Sequence, residues 1–94
     1  MYRISETVRS THSGDGAILL DVRQGKIFNV NPVGSRILEL LKTESDESAL
    51  VSAVEREFEV NRNVASADVR DFLAALRKHQ LIDEFERIGQ LKQE

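Results

Sequence analysis

The sequence predicts an α+β domain in which a three-stranded antiparallel sheet packs on three helices. Three observations carry that prediction. Alternating and aliphatic runs separated by glycine-containing turns fill positions 2 to 30, Asn31-Pro32 marks a helix start, and two later segments repeat apolar residues at helical spacing. The stretch GAILLDVRQGKIFNVNPVGSRILELL, positions 16 to 41, joins two of these signals in one unit, a hairpin running directly into a capped helix. With 94 residues, 40% of them apolar, the chain supports one small core that buries roughly 60–65% of the extended-chain surface.

From Tyr2 to Ser10, Tyr2, Ile4, Glu6 and Val8 alternate with Arg3, Ser5, Thr7 and Arg9, the pattern of a half-buried first strand. Ser13-Gly14-Asp15-Gly16 supplies residues that tolerate positive φ and predicts a turn. Ala17 to Val22 is the expected second strand, with Ile18, Leu20 and Val22 on one face. Arg23-Gln24-Gly25-Lys26 closes a second hairpin, and Lys26 to Val30 forms the third strand. Asn31 caps free main-chain N–H groups, while Pro32 occupies the first helical position, where a missing donor costs nothing. Helix one is expected from Pro32 to about Lys42, with Val33, Ile37, Leu38 and Leu41 on its inner stripe and Arg36, Glu39 and Lys42 outward. Gly34 lowers helix propensity by roughly 1 kcal/mol relative to Ala, so its presence predicts a close approach of the helix backbone to the sheet.

Ser45 or Asp46 caps a second helix reaching about Phe58, with Leu50, Val51, Val54 and Phe58 on the apolar face and Glu47, Glu55, Glu57 and Glu59 opposite. Glu59 to Val64 reads as a polar connection, and Ser66 followed by Asp68 as the start of helix three. Val69, Phe72, Leu73 and Leu76 repeat at helical spacing, and Arg77, Lys78 and His79 place positive charge in the last turn, where it suits the helix dipole. Leu81-Ile82 ends the expected core. Positions 83 to 94 read as a polar tail in which Phe85, Ile88 and Leu91 fall at helical spacing.

Composition excludes several kinds of chemistry. Sixteen acidic and thirteen basic side chains leave a formal charge of −3, which gives no general pull toward phosphate backbones or anionic membranes. Without cysteine there is no disulfide, thiolate nucleophile or thiolate metal site. No signal-peptide core and no apolar run of membrane-spanning length occurs, so the expectation is a soluble cytoplasmic protein. His12 lies near Ser13 and Asp15, but neighbours on one turn do not form the sequential hydrogen bonds of a catalytic triad, and the trio reads as a surface turn. His79 reads as a helix-end residue. The five glycines match neither a dinucleotide loop nor a phosphate loop, and Glu55 with Glu59 reads as solvated helix surface. No cofactor or metal is expected, and the chemistry belongs to a partner.

One family combines these features. The order LLD (Leu19, Leu20, Asp21), a glycine turn at Gly25, a strand from Phe28 to Asn31, then VGSRILELL and DVRDFLAAL resembles the PqqD-like family. These are peptide-recognition domains, also called RiPP recognition elements, that serve enzymes modifying ribosomally made peptides. The resemblance spans Asp15 to Ile82, and the order and spacing of its motifs carry the weight. It implies a winged helix-turn-helix-like fold over residues 1–82, with 83–94 as a tail. It also implies that the leader segment of a precursor peptide adds as a strand to the third strand, in the groove between that strand and the third helix. The matching positions are Lys26, Ile27, Phe28, Asn29 and Val30 on the strand, and Val69, Arg70, Phe72, Leu73, Leu76 and Arg77 on the helix. An exposed strand edge offers unpaired N–H and C=O groups, which makes that transfer physically sound. Val30 is expected to place a main-chain donor on the edge.

Each of these residues also has a plainer reading. Phe72, Leu73 and Leu76 have core spacing, although a groove wall serves both purposes. Ile27 and Phe28 point to opposite faces, so one enters the core and the other meets peptide or solvent. Arg70 and Arg77 are balanced by Asp68 and Asp71 or else contact an acidic leader residue. The leading expectation is a non-catalytic module that captures a leader and presents it to a separate modifying enzyme or leader peptidase, of lasso-peptide rather than quinone-cofactor type. The alternatives are a winged-helix DNA-binding module, opposed by Asp68 and Asp71 beside Arg70, and a dimerisation module acting through Phe85, Ile88 and Leu91.

Overall fold

Two antiparallel hairpins in succession build the sheet. In the computed structural model, which describes residues 2–13, 16–43 and 46–84, β2 (Val8–Ser13), β3 (Gly16–Asp21) and β4 (Lys26–Val30) pair in the order β2-β3-β4. Their register runs Val8 to Asp21 and Ser13 to Gly16 in the first hairpin, then Ala17 to Val30 and Asp21 to Lys26 in the second. The helices follow as α1 (Pro32–Leu40), α2 (Glu47–Phe58) and α3 (Arg62–Lys78). The architecture is the expected α+β, winged helix-turn-helix-like arrangement.

The first strand differs from expectation. The alternating run breaks at Ser5–Thr7, where Val8 N–H donates to the Ser5 carbonyl (3.1 Å) and Thr7 N–H reaches Ser5 Oγ (3.4 Å). Hydroxyl side chains that bond nearby main chain compete with strand pairing, and here they turn the chain. The preceding piece, β1 (Tyr2–Ile4), therefore leaves the sheet and pairs with β5 (Ile82–Glu84), Ile4 opposite Ile82. Positions 83 and 84 thus belong to a strand, not to the expected tail, while 85–94, with Phe85, Ile88 and Leu91, lie outside the described residues.

At α1, Asn31 Oδ1 accepts from Gly34 N–H at 2.8 Å and Pro32 opens the helix, as expected. The helix ends at Leu40 and not at Lys42, because the last turn tightens: Lys42 N–H bonds Glu39 O and Thr43 N–H bonds Leu40 O, both three residues back. Helix α2 follows Asp46 and stops at Glu59, which takes a left-handed φ of 56°. Helix α3 starts four residues before the expected Ser66. Asn61 Oδ1 accepts from Val64 N–H at 2.9 Å, repeating the cap geometry of Asn31, so the polar segment is a helix start instead of a connection. Its far end is a Schellman turn: Gln80 adopts φ 62°, Leu81 N–H bonds Leu76 O at 2.8 Å and Gln80 N–H bonds Arg77 O at 3.0 Å.

One apolar core joins the inner sheet face to all three helices, with Leu19, Ile37, Leu38, Leu50, Val54, Val69 and Leu73 almost wholly buried. Each such side chain contributes about 1.5–3 kcal/mol by leaving water. At the surface Arg36 pairs with Glu57 (2.7 Å) and Glu39 (3.1 Å), which clips α1 to α2. An exposed pair of this kind adds only about 0–1 kcal/mol. No helix among the described residues is long and apolar enough to cross a membrane.

Candidate functional site

Strand β4 forms one edge of the sheet, and among the described residues no strand pairs with its outer side. Alternation decides which groups face that edge. Val22 N–H donates to Thr7 O at 2.9 Å, so Ile18 and Leu20, in the same phase as Val22, turn their main chain toward β2. Ala17, Leu19 and Asp21 then turn theirs toward β4. Their partners Val30, Phe28 and Lys26 are occupied inward, consistent with the Val30 carbonyl lying so close to Gly16 that a Cβ there would sit 2.5 Å from it. The N–H and C=O groups of Ile27 and Asn29 are the ones left facing outward. The donor expected at Val30 points instead at Ala17.

Beside this edge runs a groove walled by α3. One cleft of about 210 Å³ is lined by Phe28, Asn29 and Val30 from β4, by Phe72, Ala75, Leu76 and His79 from α3, and by Leu19 and Leu81 at its floor. The Phe28 and His79 rings meet at 4.9 Å between centroids, tilted by 51°. A second cleft of about 250 Å³, lined by Asn31, Val33, Gly34, Asp68, Asp71 and Phe72, continues past Phe72. The first is apolar with a histidine at one end, and the second carries two carboxylates.

Two ties set the groove's width. At the hairpin end, Gln24 Nε2 donates both to Asp21 Oδ2 and to the His79 carbonyl (3.2 Å), while Arg23 Nη2 donates to Gln80 Oε1 (3.2 Å). The turn that carries β4 is thereby fastened to the end of α3. Asp21 is fully buried and accepts the main-chain N–H groups of Arg23 (3.0 Å) and Gln24 (3.3 Å). Burial alone pushes its carboxyl up, but the bonds from Gln24 and Arg23 more than offset this and hold it below the ordinary aspartate value. At the other end Gly34 packs against both walls: a Cβ there would meet Val30 Cγ1 at 2.6 Å and Phe72 Cε1 at 2.7 Å.

The predicted site residues separate into groups. Phe28, Val30, Phe72 and Leu76 line the cleft, and Asn29 borders it. Of the pair Ile27 and Phe28, Phe28 turns inward and Ile27 is 69% exposed on the outer sheet face. Lys26 is exposed at the hairpin end. Val69 and Leu73 are buried in the core, 0% and 2% exposed. Arg70 is exposed two positions from Phe72, and Arg77 is exposed two positions from both Ala75 and His79, which turns each about 200° around the helix from those residues. Ala75 was not singled out from sequence, and His79, read there as a helix-end residue, also lines the cleft. Their signal is the spacing 72, 75, 76, 79, one full helical face. Asp68 and Asp71, read as balancing the arginines, line the second cleft. His12 is not a bare turn residue, since its Nδ1 lies 2.7 Å from Ser35 Oγ and ties β2 to α1. Among the described residues no group of histidine, aspartate and glutamate is arranged to hold a metal ion.

Fold and site together define a winged-helix-like domain with an open sheet edge over a helix-walled groove. The chain belongs to the PqqD family: the family model described as coenzyme PQQ synthesis protein D matches residues 16–82. It is similar to a solved structure described as TbiB1 in complex with the TbiA(beta) leader peptide, at 36% identity and a TM-score of 0.80, covering 89% of this chain and 98% of that one. A second structure, described as lasso peptide synthetase B1 complexed with the leader peptide, shares the fold at 21% identity and a TM-score of 0.77, covering 88% and 98%. No curated protein matches the chain.

Proposed function

We propose that this chain is a non-catalytic module that captures the leader segment of a ribosomally made precursor peptide as an added strand on β4, and presents it to a separate modifying enzyme or leader peptidase in the cytoplasm. The observation that carries this reading is the outward-facing main chain of Ile27 and Asn29 directly beside the apolar cleft. Each of these residues offers one donor and one acceptor, and each hydrogen bond made there contributes about 0.5–1.5 kcal/mol net. Leader side chains alternate, so those opposite Phe28 enter the cleft against Phe72, Leu76 and His79, while their neighbours lie beside Ile27. Main chain supplies affinity and the cleft supplies selectivity. Leader complexes of two structures with this fold support the reading. Within it we favour lasso-peptide over quinone-cofactor service, the class to which the second complex belongs by its description.

Titration of the purified protein with the leader of the precursor encoded beside it, followed by amide NMR shifts, tests the proposal. Shifts concentrated at residues 27–30 and 72–79 are expected. Failure to bind any neighbouring leader, together with salt-sensitive binding to duplex DNA, overturns it in favour of a winged-helix DNA binder.

A further inference from the structure

The end of α3 is held by a side chain from another element. Helices leave their last carbonyls without partners inside the helix; here Leu81 N–H takes Leu76 O and Gln80 N–H takes Arg77 O. The His79 carbonyl instead accepts from Gln24 Nε2 at 3.2 Å, out of the turn between β3 and β4. The same Nε2 donates to Oδ2 of Asp21, a fully buried residue whose Oδ1 is fixed by the main-chain N–H groups of Arg23 and Gln24. Gln24 therefore links a buried anchor to a helix end. One residue further on, Gln80 turns the chain with φ 62°, and Arg23 Nη2 donates to its Oε1 at 3.2 Å.

What this link positions is the ring of His79. That ring meets Phe28 at 4.9 Å between centroids, and both residues line the apolar cleft of about 210 Å³. The other α3 residues of the cleft, Phe72, Ala75 and Leu76, lie within the helix, whereas His79 stands just past its last residue, Lys78. His79 N–H bonds back to Ala75 O at 3.1 Å, so the carbonyl held by Gln24 is the second point that fixes the residue. Helix ends fray at little cost, while walls built of packed interior side chains resist enlargement. The His79 end is thus the part of the cleft whose size depends on a tie.

We infer that Gln24, which lines neither cleft, is a positioning residue for leader capture: by holding the His79 carbonyl it keeps the His79 ring against Phe28 as the end wall of the apolar cleft, and so sets the largest leader side chain the cleft admits. The inference rests on the leader-capture reading above. Asp21 takes part as the fixed point against which Gln24 is braced. A helix cap that served stability alone would leave the choice of leader side chain unchanged when cut, which separates the two roles.

The test uses the full chain and the synthetic leader of the neighbouring precursor, with affinities measured by calorimetry. Alanine substitutions along the leader identify the residue whose loss costs most, which is the one seated in the cleft, and that position is then varied through Val, Leu, Phe and Trp. Wild type is expected to prefer one size and to reject Trp by about tenfold, the scale of overpacking a formed cavity. Gln24→Ala is expected to weaken the preferred leader about fivefold, the worth of one hydrogen bond, and to reduce the penalty for Trp to about twofold or less. Gln24→Glu combined with Asp21→Asn separates positioning from stability. The amide introduced at 21 donates to the carboxylate introduced at 24, which remakes that contact, while the His79 carbonyl faces oxygens that have nothing to donate. This double variant is expected to be more stable in urea than Gln24→Ala and yet to admit Trp as readily. Wild-type size selectivity in either variant overturns the inference, as does a wild type that accepts all four sizes alike. A wild-type chain that binds no leader at all instead removes the capture reading itself and the inference with it.

Discussion

Gly34 shows how a single missing side chain shapes the groove. Its Cα lies where the α1 backbone meets both Val30 of β4 and Phe72 of α3, and a methyl group there would come within 2.7 Å of each. Gly34→Ala gains helix propensity worth about 1 kcal/mol but forces the two groove walls apart, and overpacking of this kind costs about 1–3 kcal/mol. The expected outcome is a protein no more stable than wild type in urea denaturation and several-fold weaker for leader peptide. Sequence alone shows that Gly34 approaches something closely, because a glycine inside a strong helix pattern needs a reason. The two side chains it spares become visible only once α3 and β4 are brought together. Asp21 makes the opposite case, a buried carboxylate in an aliphatic run whose role depends on the turn it closes. Its folded-state pKa lies below its unfolded one, so the stability it contributes is present above about pH 4 and is lost as pH falls through the lower folded value. Asp21→Asn is expected to flatten the acid limb of a stability-versus-pH curve, and equal slopes for both proteins would show that Asp21 is not the group responsible.

At the scale of elements, the phase of β4 makes a sharp prediction. A proline on an edge strand is tolerated where its N–H would face solvent and disruptive where that N–H is in the ladder. Asn29→Pro is therefore expected to leave the circular dichroism and thermal transition nearly intact while reducing leader affinity about fivefold, through the loss of one donor worth about 1 kcal/mol. Val30→Pro is expected to damage the fold itself. A second prediction concerns α2, where Glu59 holds a left-handed φ of 56°. Glu59→Gly removes a cost of about 1 kcal/mol, which for a domain of this size raises Tm by about 4–8 °C in a thermal melt. The three helices and the two hairpins were legible from spacing and caps, since Asn31-Pro32 and the runs at Leu50–Val54 and Val69–Leu76 encode them locally. Three boundaries were not. Asn61 resembled its polar neighbours in sequence although it caps α3, and Ser5 with Thr7 broke an alternation that read as continuous. Ile82–Glu84 became a strand only because Tyr2–Ile4, at the far end of the chain, lies beside it. Pairing across so long a separation leaves no local trace.

For the whole molecule, the groove is a product of assembly. Residues from β4 and α3 line it, the Asp21–Gln24–His79 tie fastens one end, and the Val30–Gly34–Phe72 contact fixes the other. Sequence reasoning reached the strand and half of the helix wall. It reached Val69 and Leu73 too, because apolar helical spacing does not distinguish a residue facing the core from one facing a cleft. Ala75 and His79 were not assigned to the groove for the complementary reason, one being small and the other reading as a helix-end residue. The same assembly leaves Ile18, Leu20 and Ile27 exposed on the outer sheet face beside the open edge of β4. The central claim, that a leader adds as a strand at the outer edge of β4, is tested most directly by amide hydrogen exchange read residue by residue with and without saturating leader. Ile27 and Asn29 amides, which face outward in the free protein, are predicted to become strongly protected, while Phe28 and Val30, already bonded to β3, change little. A leader that binds tightly yet leaves Ile27 and Asn29 exchanging as they do in the free protein would contradict the account.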